Sequence, residues 1–150
     1  MRLRDLLDES VVKIGLESVD KEECFEELID LLVQSGRIDD RATALDAILK
    51  REAAGTTGIG SGFAVPHGKN PSVNGLLLAV GTSAKGIEFD AVDDKPVHVV
   101  ILILASIREP GKHVQALAEV VRLIKLPDFK ASLLKATSAK ALLDVFSAAE

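Results

Sequence analysis

The sequence has no tryptophan, no tyrosine and five phenylalanines among its 150 residues. Its core must therefore be built from Leu, Ile, Val and Ala. It has one cysteine, Cys24. A lone thiol makes no internal disulfide, so a reducing compartment, the cytoplasm, is the expected home. There is no signal-peptide pattern, because Asp8-Glu9 interrupts the apolar start at Leu6-Leu7. Long hydrophobic runs are also missing. The longest, Val99 to Ala105, is far too short to span a bilayer, which argues against membrane insertion. Basic residues are outnumbered, 18 Lys and Arg against 23 Asp and Glu, for a net charge of −5. That balance disfavours nucleic acid and suits a protein partner that offers a positive patch.

Apolar residues make up 47% of the chain and charged residues 27%, an ordinary globular composition. No repeat, low-complexity tract or long linker interrupts it. Residues 1–150 are read as a single domain.

Glycine is concentrated in one place. Gly55, Gly58, Gly60 and Gly62 precede the short run Phe63-Ala64-Val65, which ends in Pro66-His67-Gly68. Glycine permits close backbone approach, and proline fixes the backbone just ahead of the imidazole. Gly68 is expected to leave the space beyond it open. A histidine so placed reads as presented rather than packed, although most loop histidines are only loop residues. The glycines make a poor nucleotide fingerprint. Gly58-Ile59-Gly60-Ser61-Gly62 places Phe63 where a third glycine belongs, and no Walker lysine follows.

Elsewhere the pattern alternates between helix and strand signals. Met1 to Gly15 reads as a short helix or extended lead-in. Asp20 and Glu23 form a capping box ahead of a helix bearing Cys24, Phe25, Leu28, Leu31 and Leu32, stopped by Gly36. Asp39 or Asp40 caps a second helix with Ala44, Leu45, Ala47, Ile48 and Leu49 on its apolar side. It runs into Arg51-Glu52. Arg51 reads either as a helix-end cation or as a site residue. Leu76 to Gly81 and Ile87 to Phe89 suggest short strands. Val97 to Ala105 suggests a strand buried on both faces, with His98 satisfied by a neighbouring group. After Pro110 a helix is expected, with Val114, Leu117, Ala118, Val121 and Ile124 as its inward stripe and Pro127 at its end. Helical pieces at Asp128 to Ala136 and Ser138 to Ala149 follow. The fold class is α/β or α+β, a sheet covered by helices.

Arg51-Glu52 and Thr57-Gly58-Ile59-Gly60, then Gly62, Ala64-Val65-Pro66-His67, carry a resemblance. The chain resembles the enzyme IIA domains of the fructose/mannitol type from the bacterial phosphoenolpyruvate-dependent sugar phosphotransferase system, a family that includes a nitrogen-regulatory branch. The likeness continues to His113-Val114-Gln115-Ala116-Leu117-Ala118 and covers nearly the whole chain. It implies a small mixed sheet flanked by helices. It implies that His67 is the phosphoryl acceptor, with His113 and Arg51 beside it. The implied partners are an HPr-type phosphocarrier and either a IIB domain on a separate chain or regulatory targets.

Imidazole is substantially neutral near pH 7 and nucleophilic, as such a carrier requires. Its other nitrogen needs an acceptor, most simply a backbone carbonyl. Backbone N–H groups around Gly68 are candidate phosphoryl donors, since loop nests bind anions. His113, at a helix start, reads either as an exposed first-turn residue or as a group that meets the phosphoryl. Thr57, Gly58, Ile59, Gly60 and Phe63 are candidate binding positions. Ile59 and Phe63 would dock a partner if exposed and would be core otherwise. Neither a cofactor nor a metal is expected, because the histidine spacings resemble no compact zinc motif. Two rival functions remain, a phosphate-independent interaction module and a nucleotide-binding enzyme.

Overall fold

Side-chain caps set three helix starts in the computed structural model, which describes residues 1–150. Helix α1 (Lys21–Gln34) begins where Asp20 accepts from the Glu23 N–H at 2.9 Å. Glu23 reaches back to the Val19 N–H. Helix α2 (Arg41–Ala53) begins at Asp40, not Asp39, which accepts from the Thr43 N–H at 3.0 Å. Helices α3 (Pro110–Ile124) and α4 (Phe129–Lys135) lack such a side-chain cap, while Ser138 caps α5 (Ala139–Ala149). The lead-in is two short 3-10 turns, Leu3–Leu6 and Glu9–Val11.

Six strands make one mixed sheet. They are β1 (Val12–Ile14), β2 (Gly58–Gly60), β3 (Phe63–Ala64), β4 (His67–Asn70), β5 (Leu76–Ile87) and β6 (Val97–Ser106). The two longest, β5 and β6, pair antiparallel at the centre. Strand β5 outruns the expected Leu76–Gly81 segment. It absorbs Ile87 after an irregularity that begins at Thr82, and Glu88 makes only a single bridge to Asp20. Strand β1 adds parallel to β5. Strands β3 and β4 both lie parallel along β6, one after the other, and β2 closes the edge against β3.

Helix α2 packs on β4, and α3 and α4 pack on β6. Successive strand residues face opposite ways. Gly68 meets α2 and the neighbouring His67 meets α3, so these helices cover opposite faces. Phe63 stacks on Phe129, which meets Phe146 edge-on, and Phe25 meets Phe89 on α1's side. No helix is long and apolar enough to cross a membrane.

Two sequence expectations are corrected here. The inward face of α3 is His113, Ala116, Val120 and Leu123, whereas Val114 and Val121 are exposed. The buried stripe is offset by one residue, and His113 is part of it. The space beyond Gly68 is also not open. A Cβ on Gly68 would stand 2.8 Å from the backbone carbonyl of Ala47, so the glycine is what lets α2 lie against β4.

Candidate functional site

The gap between β3 and β4 positions His67. Pro66 has no N–H for the ladder. Its carbonyl still accepts from Ile103, at 2.9 Å, so the chain stays on β6. Val65, just before it, instead directs its N–H to the Thr57 carbonyl, at 3.0 Å. The Val65 carbonyl accepts from His67 Nδ1 at 2.8 Å. A carbonyl only accepts, so Nδ1 carries the proton and Nε2 carries the free lone pair of the neutral ring.

His113 approaches from α3. The two imidazole centroids lie 5.3 Å apart, with the rings 73° from parallel. His113 is only 7% exposed, and its Nε2 is buried without a hydrogen-bond partner. A buried unpaired nitrogen costs stability unless something arrives to bond it. Both rings are biased to the neutral form. For His67 burial lowers the pKa most, and Arg51 lowers it further. The Val65 carbonyl and Glu52 act in the opposite sense. For His113 burial again dominates, followed by His67 and Lys69.

His67 stands between two depressions of different character. One, of about 370 Å³, is lined by Lys50, Arg51, Lys69 and His113. The other is small and mainly apolar, with Ile59, Val65, Leu117 and Val121 in its wall. Arg51 is at the end of α2 with its Nη1 donating to the Gly55 carbonyl at 2.8 Å. The molecule is acidic overall, yet the cleft beside the imidazoles is cationic. An anion fits that wall.

The chain matches the model of the family described as "Phosphoenolpyruvate-dependent sugar phosphotransferase system, EIIA 2" over residues 5–149. It belongs to that family. This EIIA chain is 42% identical over 127 residues to the fructose-specific EIIA component of Haloferax volcanii, covering 85% of this chain and 82% of that one. It is 33% identical over 147 residues to the fructose-specific EIIABC component of Bacillus subtilis, covering 98% of this chain but only 23% of that protein. Its fold matches the nitrogen regulatory protein IIA-Ntr of Neisseria meningitidis with a TM-score of 0.88 at 26% identity, covering 96% and 98% of the two chains.

The other candidate positions of this EIIA separate into surface and support. Ile59 is exposed, while Phe63 is 1% exposed beneath α4 and belongs to the core. Thr57 is buried and turned toward Glu52. Gly58 is a packing position, since a Cβ there would meet Ala91 at 2.9 Å. Gly60 has φ 93°, which favours glycine. His98 is bonded to the Ser83 carbonyl, several residues along β6 from Ile103, the partner of His67. No three His, Cys, Asp or Glu side chains converge as a metal-binding group. Sequence reasoning assigned no role to Lys50, Lys69 or Glu52. Lys69 was detectable, because a residue two past His67 on a strand shares its face.

Proposed function

We propose that this EIIA chain is a phosphohistidine carrier in which His67 Nε2 takes a phosphoryl group from an HPr-type phosphohistidine protein. The observation that carries this reading is the locked tautomer of His67 facing a buried, unpartnered His113 Nε2. The His67 Nε2 lone pair forms the new N–P bond as the donor's N–P bond breaks, and the donor imidazole leaves with the old electron pair. The proton stays on Nδ1, donated to the Val65 carbonyl, throughout. Charge on the transferring oxygens spreads over three equatorial positions, so positioning and cationic groups do most of the catalytic work. Arg51 offers a planar fork to those oxygens, and Lys50 and Lys69 offer charge. His113 supplies the hydrogen-bonding nitrogen that is otherwise unpaired.

The group then passes to a IIB cysteine or persists as a signal to a regulatory target. Cys24 is not the acceptor, since it is fully buried and burial pushes its thiol up to about 12. Incubation with phosphoenolpyruvate, enzyme I and HPr should give an acid-labile, base-stable label on the wild-type chain and none on His67→Ala. His113→Ala should accept or donate more slowly. Label surviving in His67→Ala would move the nucleophile to another histidine. No label on the wild type with any HPr-type donor would favour a phosphate-independent interaction module.

A further inference from the structure

The site contains a buried carboxylate with no part in the phosphoryl contacts above. Glu52 is 7% exposed. Its carboxylate accepts from the Thr57 N–H at 3.1 Å and from Thr57 Oγ1 at 2.6 Å, with Lys21 Nζ at 3.5 Å. A charge this deep is costly unless its bonds are made, and here several donors make them.

The bonds continue outward from Glu52 in two directions. Along one, Thr57 is gripped by Glu52 at its N–H and hydroxyl, and its carbonyl receives the Val65 N–H. The Val65 carbonyl in turn receives His67 Nδ1. Each residue of that series is bonded on both sides, so its place is fixed by the one before. Along the other, the Glu52 carbonyl receives the Gly55 N–H at 3.1 Å, and the Gly55 carbonyl receives the Arg51 guanidinium. The acceptor imidazole is thus referred to the Glu52 carboxylate, whereas Arg51 is tied to the same turn only through a backbone carbonyl that any residue at position 52 would supply.

We propose that Glu52 is a positioning residue of this site, its carboxylate holding Thr57 so that His67 keeps its tautomer. The proposal rests on the phosphocarrier reading for its kinetic consequence, but not for its geometry.

Glu52→Gln is nearly isosteric and tests it. The amide has one acceptor oxygen and turns an NH₂ toward a site where the Thr57 N–H and Lys21 can only donate. In the variant the His67 ring should lose its single-tautomer nitrogen signature by ¹⁵N NMR. Its pKa should also fall, because the carboxylate charge that favours the imidazolium is gone. Phosphoryl acceptance should slow on the order of 10- to 100-fold. Thr57→Val removes the hydroxyl donor but keeps the carboxylate charge, and should give a smaller loss of the single-tautomer signature. It remains informative if Glu52→Gln folds poorly. A lower melting temperature with an unchanged His67 tautomer in both variants would overturn the proposal, leaving Glu52 a stabiliser of α2. If wild type accepts no phosphoryl group, the carrier reading fails while the NMR comparison still decides the role of Glu52.

Discussion

An imidazole attacks phosphorus only through a nitrogen that has no proton, so the charge state of His67 governs its use. Burial lowers its pKa first and the Arg51 cation lowers it further. The neutral fraction is therefore high above about pH 6.5 and falls as pH drops toward the shifted value. Arg51→Ala removes the nearby cation, so the His67 pKa should rise. Following the ring proton shifts against pH would show the midpoint moving upward. Acceptance in the variant should then begin to fall at a higher pH than in wild type as the medium is acidified, on top of a uniform loss from the missing guanidinium. An identical midpoint would place Arg51 too far from the ring to act on it. At this scale the sequence was informative about His67, because proline before a histidine dictates a local backbone whatever the rest of the fold. It marked Glu52 only as part of the resemblance and pointed to no role for it, since its partner Thr57 reaches it only after the chain has turned back on α2.

At the scale of elements, the site depends on how closely α2 lies against β4. Gly68 permits that contact. Gly68→Ala would drive a methyl into the Ala47 carbonyl, a clash with backbone that has no flexible side chain to yield. Such overpacking costs about 1–3 kcal/mol, which lowers the melting temperature by about 2–10 °C in a chain of this size. Calorimetry would measure it, and an unchanged melting temperature would show that α2 shifts freely. Because Arg51 is on α2, acceptance should suffer as well. Caps were largely legible, since Asp20, Asp40 and Ser138 act on backbone only a few residues away, and so were the two long strands, whereas β1 to β4 are too short or too glycine-rich to show a strand pattern. The face of α3 was not. Apolar residues at Val114, Leu117 and Val121 compete with Ala116, Val120 and Leu123 one position away, and helical periodicity fits both sets. The sheet chose the second set, and that choice buried His113 against His67, left Leu117 half-buried and turned Val114 and Val121 outward.

At the scale of the whole molecule, that outward set explains an oddity of the surface. Val121 and Ile59 are 46% and 43% exposed on the side of His67 away from the cationic cleft, and Val114 is 66% exposed further along α3. A carrier must meet a donor and then an acceptor at one atom, so both partners press on whatever surrounds His67. Transient complexes of this sort use small interfaces in which a few apolar contacts carry much of the affinity. In the proposed carrier role, net charge −5 would draw a partner with basic residues, while the cations near the imidazoles would hold the phosphoryl group itself. Val121→Asn tests this division. The side chain is exposed on a helix and the change adds no charge beside His67, so the melting temperature and the His67 pKa should barely change. Titration against an HPr-type donor should show affinity weakened roughly tenfold or more. Salt should not restore it, because the loss is of apolar contact rather than of screened charge. Full affinity in Val121→Asn would mean that the donor reaches His67 from the cationic side alone.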